Sequence, residues 1–142
     1  MPMTARKAAL EALLSYRKRA ARPDMVLDRL AGEGKMERRE VALGSNIVNG
    51  VLQNTLFLDY HIFRISGRDE GYFDAETIEI LRLSAYQLWF LDRIPARAVV
   101  SEAVGLAPRR SKGLVNAILR KMPADISALP EIEADSPEKR LS

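Results

Sequence analysis

Few side chains in this sequence of 142 residues have the type and spacing that covalent chemistry requires. There is no cysteine, which excludes disulfides, thiolate metal sites and a cysteine nucleophile. The one histidine, His61, cannot form a histidine-rich metal cage or a two-histidine mechanism. No serine lies in a nucleophile elbow, and Asp74 and Glu76 fall where carboxylates favour a helix start. We therefore predict no catalytic residue and no metal site in this chain.

The glycine motifs do not predict a cofactor site either. Residues 32–35 read Gly-Glu-Gly-Lys, but they lack the preceding strand and the following Ser or Thr of a phosphate-binding loop. We interpret this segment as an ordinary turn. No GxGxxG motif occurs that could bind a dinucleotide or S-adenosylmethionine, so we expect no cofactor in this chain.

The charged residues are unevenly distributed, although the formal net charge is only +3. Residues 1–22 contain six basic side chains and one acid, and residues 109–122 contain five basic side chains and no acid. Residues 123–142 are acidic, with five acids against two basic side chains. Two basic clusters favour a polyanion such as RNA as partner, although solvent-exposed helix faces would give the same pattern.

The candidate RNA contacts come from these two basic clusters, whose cations would neutralise backbone phosphates. Asn116 joins them because it lies between the apolar residues Val115 and Ala117. If buried, it must hydrogen-bond, either to a neighbouring loop or to a ligand. Tyr16 and Tyr86 could stack on bases, but their helical spacing favours core packing. The predicted RNA-binding residues are Arg6, Lys7, Arg109, Arg110, Lys112, Asn116 and Arg120.

The elements that would position these residues are helices. Apolar side chains between Ala5 and Tyr16 recur every three or four residues, which is typical of one helix face. Residues 77–91 are apolar nearly all round, which indicates a buried central helix. Gly44 and Gly50 predict close approach of a neighbouring helix. No segment alternates with period two, so we predict an all-α bundle of about six to seven helices.

Capping residues and prolines predict where these elements end. Asp74 or Thr77 would begin the central helix, and Ser111 would cap the last one. After residue 122 the helical pattern ends, so we predict a folded domain over 4–122 and an acidic linker or tail over 123–142. No apolar run is long enough to span a membrane, and no signal-peptide pattern is present, so we expect a cytoplasmic protein.

Several motifs resemble, in order, those of the NusB-type helical domain. The resemblance covers about residues 4–122 and implies an all-helical domain that binds RNA. The motifs are ARKAALEALL, ERREVALGSNIVNGVLQNTLFLD, LRLSAYQLWFLDRIPARAVVSEAVGLA and KGLVNAILRKM.

This family has two branches with different roles. One is the free-standing transcription antitermination factor, which binds single-stranded RNA together with a small ribosomal protein. The other is the N-terminal domain of the RsmB-type (Sun/Fmu) methyltransferase, which makes 5-methylcytosine in small-subunit ribosomal RNA. The sequence is more similar to the second, because its last motif ends in Arg120 and Lys121. It also lacks the dense N-terminal arginine run of the free factor, and Leu114 replaces a usual aromatic residue.

The resemblance thus implies a non-catalytic domain that positions ribosomal RNA for a cytosine-C5 methyltransferase. The catalytic cysteine and S-adenosylmethionine would belong to a downstream catalytic domain, which would be a second partner besides RNA. Two alternatives stay open. One is the antitermination factor with a small ribosomal protein as partner, and the other is a structural module that docks on a catalytic domain or self-associates.

Overall fold

A computed structural model describes residues 3–19 and 22–132. Within these ranges the chain forms seven α-helices and three short 3-10 turns, with no strand. The predicted all-α fold of six to seven helices is therefore confirmed, and the tail beyond residue 132 lies outside the described residues. The helices are α1 (Ala5–Arg19), α2 (Pro23–Gly32), α3 (Arg38–Gln53), α4 (Thr55–Ser66), α5 (Ala75–Phe90), α6 (Ala96–Leu106) and α7 (Lys112–Lys121).

Helix α5 is the centre of the bundle. Of the two predicted starts, Asp74 is the capping residue, because its carboxylate accepts a hydrogen bond from the backbone N–H of Thr77 at 2.8 Å. Twelve of its 16 residues are buried, and it packs against α1, α3, α4, α6 and α7. The prediction of a buried central helix is confirmed, since neighbours on nearly every side require an apolar surface on nearly every side.

Two glycines of α3 allow the close helix packing that the sequence predicts. A Cβ atom at Gly44 would lie 3.3 Å from the carbonyl oxygen of Ala5 in α1. A Cβ atom at Gly50 would collide with the ring of Tyr86 in α5. The Tyr86 hydroxyl donates a hydrogen bond to Asn46 Oδ1 at 2.6 Å, which fixes the ring against α3. The absence of side chains at these two positions therefore brings α3 close to both helices.

A cluster of charged side chains ties α1 and α4 to α5. The Glu79 side chain is 1% exposed and accepts a hydrogen bond from Arg17 Nε at 2.8 Å. It also lies 3.3 Å from Arg82 Nη1. Arg82 donates two hydrogen bonds of 2.7 Å to the carboxylate of Asp59 in α4. Because a buried charge is costly unless it is paired, this cluster fixes α1 and α4 relative to α5.

The start of α7 differs from the sequence prediction. Ser111 precedes this helix but makes no side-chain capping bond. Its hydroxyl oxygen instead accepts a hydrogen bond from Thr77 Oγ1 at 3.1 Å, which joins α7 to α5. The predicted Ser111 cap is therefore wrong, because a hydroxyl on a distant helix competes for the same side chain.

The chain after α7 begins in contact with the bundle. The indole N–H of Trp89 donates a hydrogen bond to the Pro123 carbonyl oxygen at 3.0 Å, and Leu129 packs against the core.

Among the residues that the structure describes, no helix combines the length and apolar character needed to cross a bilayer.

Removal of the buried carboxylate should destabilise the domain strongly. Glu79→Ala leaves Arg17 without its acid and Arg82 with one acid fewer, and breaking a buried pair costs about 3–5 kcal/mol. We expect a loss of about 3 kcal/mol in the free energy of unfolding, measured by urea denaturation. As control, Asp24→Ala removes the exposed pair with Arg22 and should cost less than about 1 kcal/mol. Equal losses would contradict a structural role of the cluster.

His61 gives the domain a pH-dependent stability. It is buried among the rings of Phe57, Tyr60 and Trp89, with centroid distances of 4.7, 5.0 and 5.7 Å. Burial lowers the pKa of His61 below its ordinary value of 6.5, and the positive charge of Arg64 lowers it further. The folded state therefore binds this proton less readily than the unfolded state.

We expect this stabilisation to be complete above pH 6.5, the ordinary pKa of histidine, and to decrease as the pH falls below it. Urea denaturation at pH 7.5 and 5.5 should show a larger loss for the natural protein than for His61→Phe, which cannot be protonated. Asp74 does not contribute in this window, because its pKa is lowered from 3.8. The same pH dependence in both proteins would contradict the role of His61.

Candidate nucleic-acid interface

Positive charge is concentrated in the segment from residue 93 to the end of α7. From residue 93 to residue 121 the sequence has seven basic side chains and one acid, Glu102. A 3-10 turn over Arg109–Ser111 connects the two helices, which pack against each other. Such a density of cations suits a polyanionic ligand. The seven basic residues are Arg93, Arg97, Arg109, Arg110, Lys112, Arg120 and Lys121.

A groove of about 540 Å³ lies between α6 and α7. Its α6 wall uses positions spaced by three, four and seven residues, which lie on one side of a helix. Its α7 wall uses two positions spaced by four residues. Half-buried valines form the apolar part, while the two arginines are exposed. The lining residues are Arg97, Val100, Ser101, Val104, Asn116 and Arg120.

The Asn116 side chain bonds within its own helix rather than to a neighbouring loop, which was one of the two roles that the sequence left open. Its Oδ1 accepts a hydrogen bond from Nε of Arg120, one helical turn later, at 3.1 Å. This bond stays within α7, and the side chain lines the groove. The bond from Arg120 identifies this oxygen as the acceptor, so the amide NH₂ of Asn116 supplies the hydrogen-bond donors on the groove side.

The other predicted RNA contacts of this region differ in whether their charged groups are already bonded within the protein. Arg109 is exposed and forms no ion pair within residues 3–19 and 22–132. Arg110 lies 3.0 Å from the Asp74 carboxylate. Hydrogen bonds from Thr77, with a smaller contribution from Arg110, lower the pKa of Asp74. Lys112 donates from Nζ to the Val104 carbonyl at 2.7 Å, so its charge lies at the C-terminal end of α6.

The N-terminal candidates Arg6 and Lys7 have different environments. Arg6 donates from Nε to Gln87 at 2.6 Å and from Nη1 to Glu102 at 2.7 Å, so it joins α1 to α5 and α6. Its side chain is only 18% exposed. Lys7 is exposed and follows Arg6 on the first turn of α1. The Arg6 contact with α6 brings the beginning of the first basic cluster next to the helix that carries the groove.

Sequence reasoning missed two groove residues, Arg97 and Ser101. Both lie outside the basic clusters, and only their spacing with Val100 and Val104 on one side of α6 could have indicated them. Of the possible stacking residues, Tyr86 is buried and stacks on Phe90 with centroids 5.3 Å apart, as the packing interpretation predicts. For Tyr16 that interpretation is wrong, because its side chain is 39% exposed near the end of α1.

The chain matches the family model described as "NusB family" over residues 3–123. It is 32% identical over 142 aligned residues to "Probable ribosomal RNA small subunit methyltransferase B" of Bacillus subtilis (strain 168), covering 96% of this chain and 31% of that protein. It is 32% identical over 105 residues to "Transcription antitermination protein NusB" of Xanthomonas axonopodis pv. citri (strain 306), covering 74% of this chain and 66% of that one. The chain thus spans about a third of the first relative and two thirds of the second.

A solved structure of T. maritima NusB has the same fold. It superimposes with a TM-score of 0.73 at 22% identity, covering 85% of this chain and 91% of that one. The structural match supports the helix arrangement, and the family model covers nearly all of the described residues. The chain therefore belongs to the NusB family.

Proposed function

We propose that this chain is a non-catalytic domain that binds and positions RNA for a small-subunit ribosomal RNA cytosine-C5 methyltransferase. The observation that carries this proposal is the extent of similarity. The Bacillus subtilis methyltransferase relative aligns with 96% of the chain, whereas the Xanthomonas NusB relative aligns with 74%. The alignment with the methyltransferase therefore includes part of this chain that the alignment with the antitermination factor does not cover.

The charge distribution gives this role a physical basis. Cations on α6, α7 and their connecting turn would neutralise phosphates and release counterions, which makes binding sensitive to salt. Arg109, Arg120 and Lys7 are exposed and suit direct phosphate contact. Arg6 and Lys112 would act mainly by fixing α1 and α7 against α6, because both are already hydrogen-bonded within the bundle. Contacts of this kind orient the RNA without reading its sequence.

Catalysis would then belong to another domain of the same enzyme. Cytosine-C5 methylation uses a cysteine thiolate and S-adenosylmethionine, and this sequence has neither a cysteine nor a Gly-rich cofactor motif. The role of this domain would be to increase the time that the ribosomal RNA spends in the correct orientation. Such an enzyme acts where ribosomal subunits are made, which would place the protein in the cytoplasm.

A second candidate function is that of a free-standing antitermination factor. It is supported by the Xanthomonas relative, of which the chain covers 66%, and by the fold of T. maritima NusB. This candidate requires a small ribosomal protein that increases the affinity for RNA. Under the methyltransferase proposal, adding such a protein should leave the RNA affinity of the chain unchanged.

Charge reversal on the connecting turn should test RNA binding directly. We expect Arg109→Glu to weaken binding to a single-stranded fragment of small-subunit ribosomal RNA about tenfold. The slope of log affinity against log salt should also decrease by about 1, because a phosphate contact is lost. Fluorescence anisotropy at several salt concentrations measures both. Arg110 is unsuitable for this test, since its reversal would place a carboxylate beside Asp74 at the start of α5.

The matched control for Arg109→Glu is Arg38→Glu, which makes the same change at an exposed position on α3. Its effect should be small if the RNA lies on α6 and α7. Equal weakening by both variants would mean that only the net charge matters and would contradict the proposed interface. A large gain in affinity with a small ribosomal protein would favour the antitermination role instead.

A further inference from the structure

We propose that the groove between α6 and α7 binds one unpaired nucleotide of a single-stranded RNA, with the base inside the groove. This inference rests on the proposed RNA-binding function and assigns it a specific nucleotide pocket. The volume of about 540 Å³ lies within the range of about 300–1,000 Å³ that is usual for small-ligand sites. A flat ring would contact Val100 and Val104, while the sugar and phosphate would stay at the open side.

The side chains around the groove match the chemistry of a nucleotide. Unpaired bases are commonly bound by stacking on an aromatic ring or an arginine guanidinium plane and by hydrogen bonds to their edges. Arg97 and Arg120 provide a guanidinium on each wall, and each can also reach a phosphate. The amide NH₂ of Asn116 can donate to an acceptor on the base edge, since its carbonyl is held by Arg120.

An RNA nucleotide fits this groove better than a protein helix does. A docked amphipathic helix needs a continuous apolar surface for side chains at several successive turns. The groove offers only two aliphatic side chains, Val100 and Val104, and its other four lining residues are polar or positively charged. None of the six lining residues is acidic, so a phosphate at the rim meets no carboxylate within the lining.

Two other cavities lack this combination. A larger one at α2 and α3 has a single cation, Arg38, among mainly apolar residues. Another, between α1 and α5, contains Arg17 and Lys18, but Glu76 also lines it. Arg17 is, moreover, paired with Glu79. The groove between α6 and α7 therefore provides the better site for a base with an attached phosphate.

Filling the groove should remove this binding without changing the charge. Ser101→Trp places an indole at an exposed lining position, and Ala98→Trp is the control at an exposed position of α6 outside the lining. The probes are a fluorescein-labelled eight-nucleotide oligouridine and an RNA duplex of the same length. We expect Ser101→Trp to bind the single strand about tenfold more weakly. The duplex affinity should not change, and Ala98→Trp should leave both affinities unchanged.

A second variant, Asn116→Leu, keeps the approximate size and adds no charge but removes the amide donor. It should also weaken single-strand binding, and it carries the test if Ser101→Trp does not fold. If these groove variants bound the single strand with the same affinity as the natural protein, the proposal of a nucleotide pocket would be wrong. The groove would then be a candidate for a protein contact instead. The RNA-binding proposal would survive that result as long as Arg109→Glu still weakened binding. Absence of RNA binding by the natural protein would overturn both.

Discussion

The burial of α5 constrains the whole arrangement of the domain. A helix with 12 of 16 residues buried must have packed neighbours on nearly every side, and five other helices provide them. Glu79 strengthens this constraint, because a carboxylate that is 1% exposed has to keep Arg17 and Arg82 in place. Arg17 holds α1 in this way, and Arg82 holds α4 through its pair with Asp59. Gln87, two turns further along α5, contributes through its hydrogen bond with Arg6.

The same constraint divides the basic residues into two groups. Arg6, Arg17 and Arg82 form ion pairs within the bundle, with acids on other helices or, for Arg82, also on α5 itself. Arg97, Arg109 and Arg120 are exposed on α6, α7 and their connecting turn. A modest net charge of +3 coexists with a strongly positive region, because residues 93–121 carry a net charge of +6 and the rest of the sequence carries −3. The proposed RNA-binding role depends on this separation more than on the total charge.

Local signals predicted most of the fold. The apolar periodicity of α1, the Asp74 cap and the glycines of α3 act over a few residues or through simple sterics, and all three agree with the structure. Long-range partners were not predictable. Arg6 looked like a free cation, but its acceptors lie 81 and 96 residues away in the sequence. Ser111 likewise bonds with a residue 34 positions away.

The candidate site shows the same limit, because a groove is a property of two helices. Asn116 and Arg120 were identified from α7 alone, whereas Arg97 and Ser101 become candidates only when α6 packs beside it.

The most direct test of the central claim is to titrate the ¹⁵N-labelled chain with single-stranded ribosomal RNA and follow the amide chemical shifts. Our account predicts that the largest changes lie in α6, α7 and their connecting turn. Changes confined to α2 and α3, or no changes at saturating RNA, would contradict it.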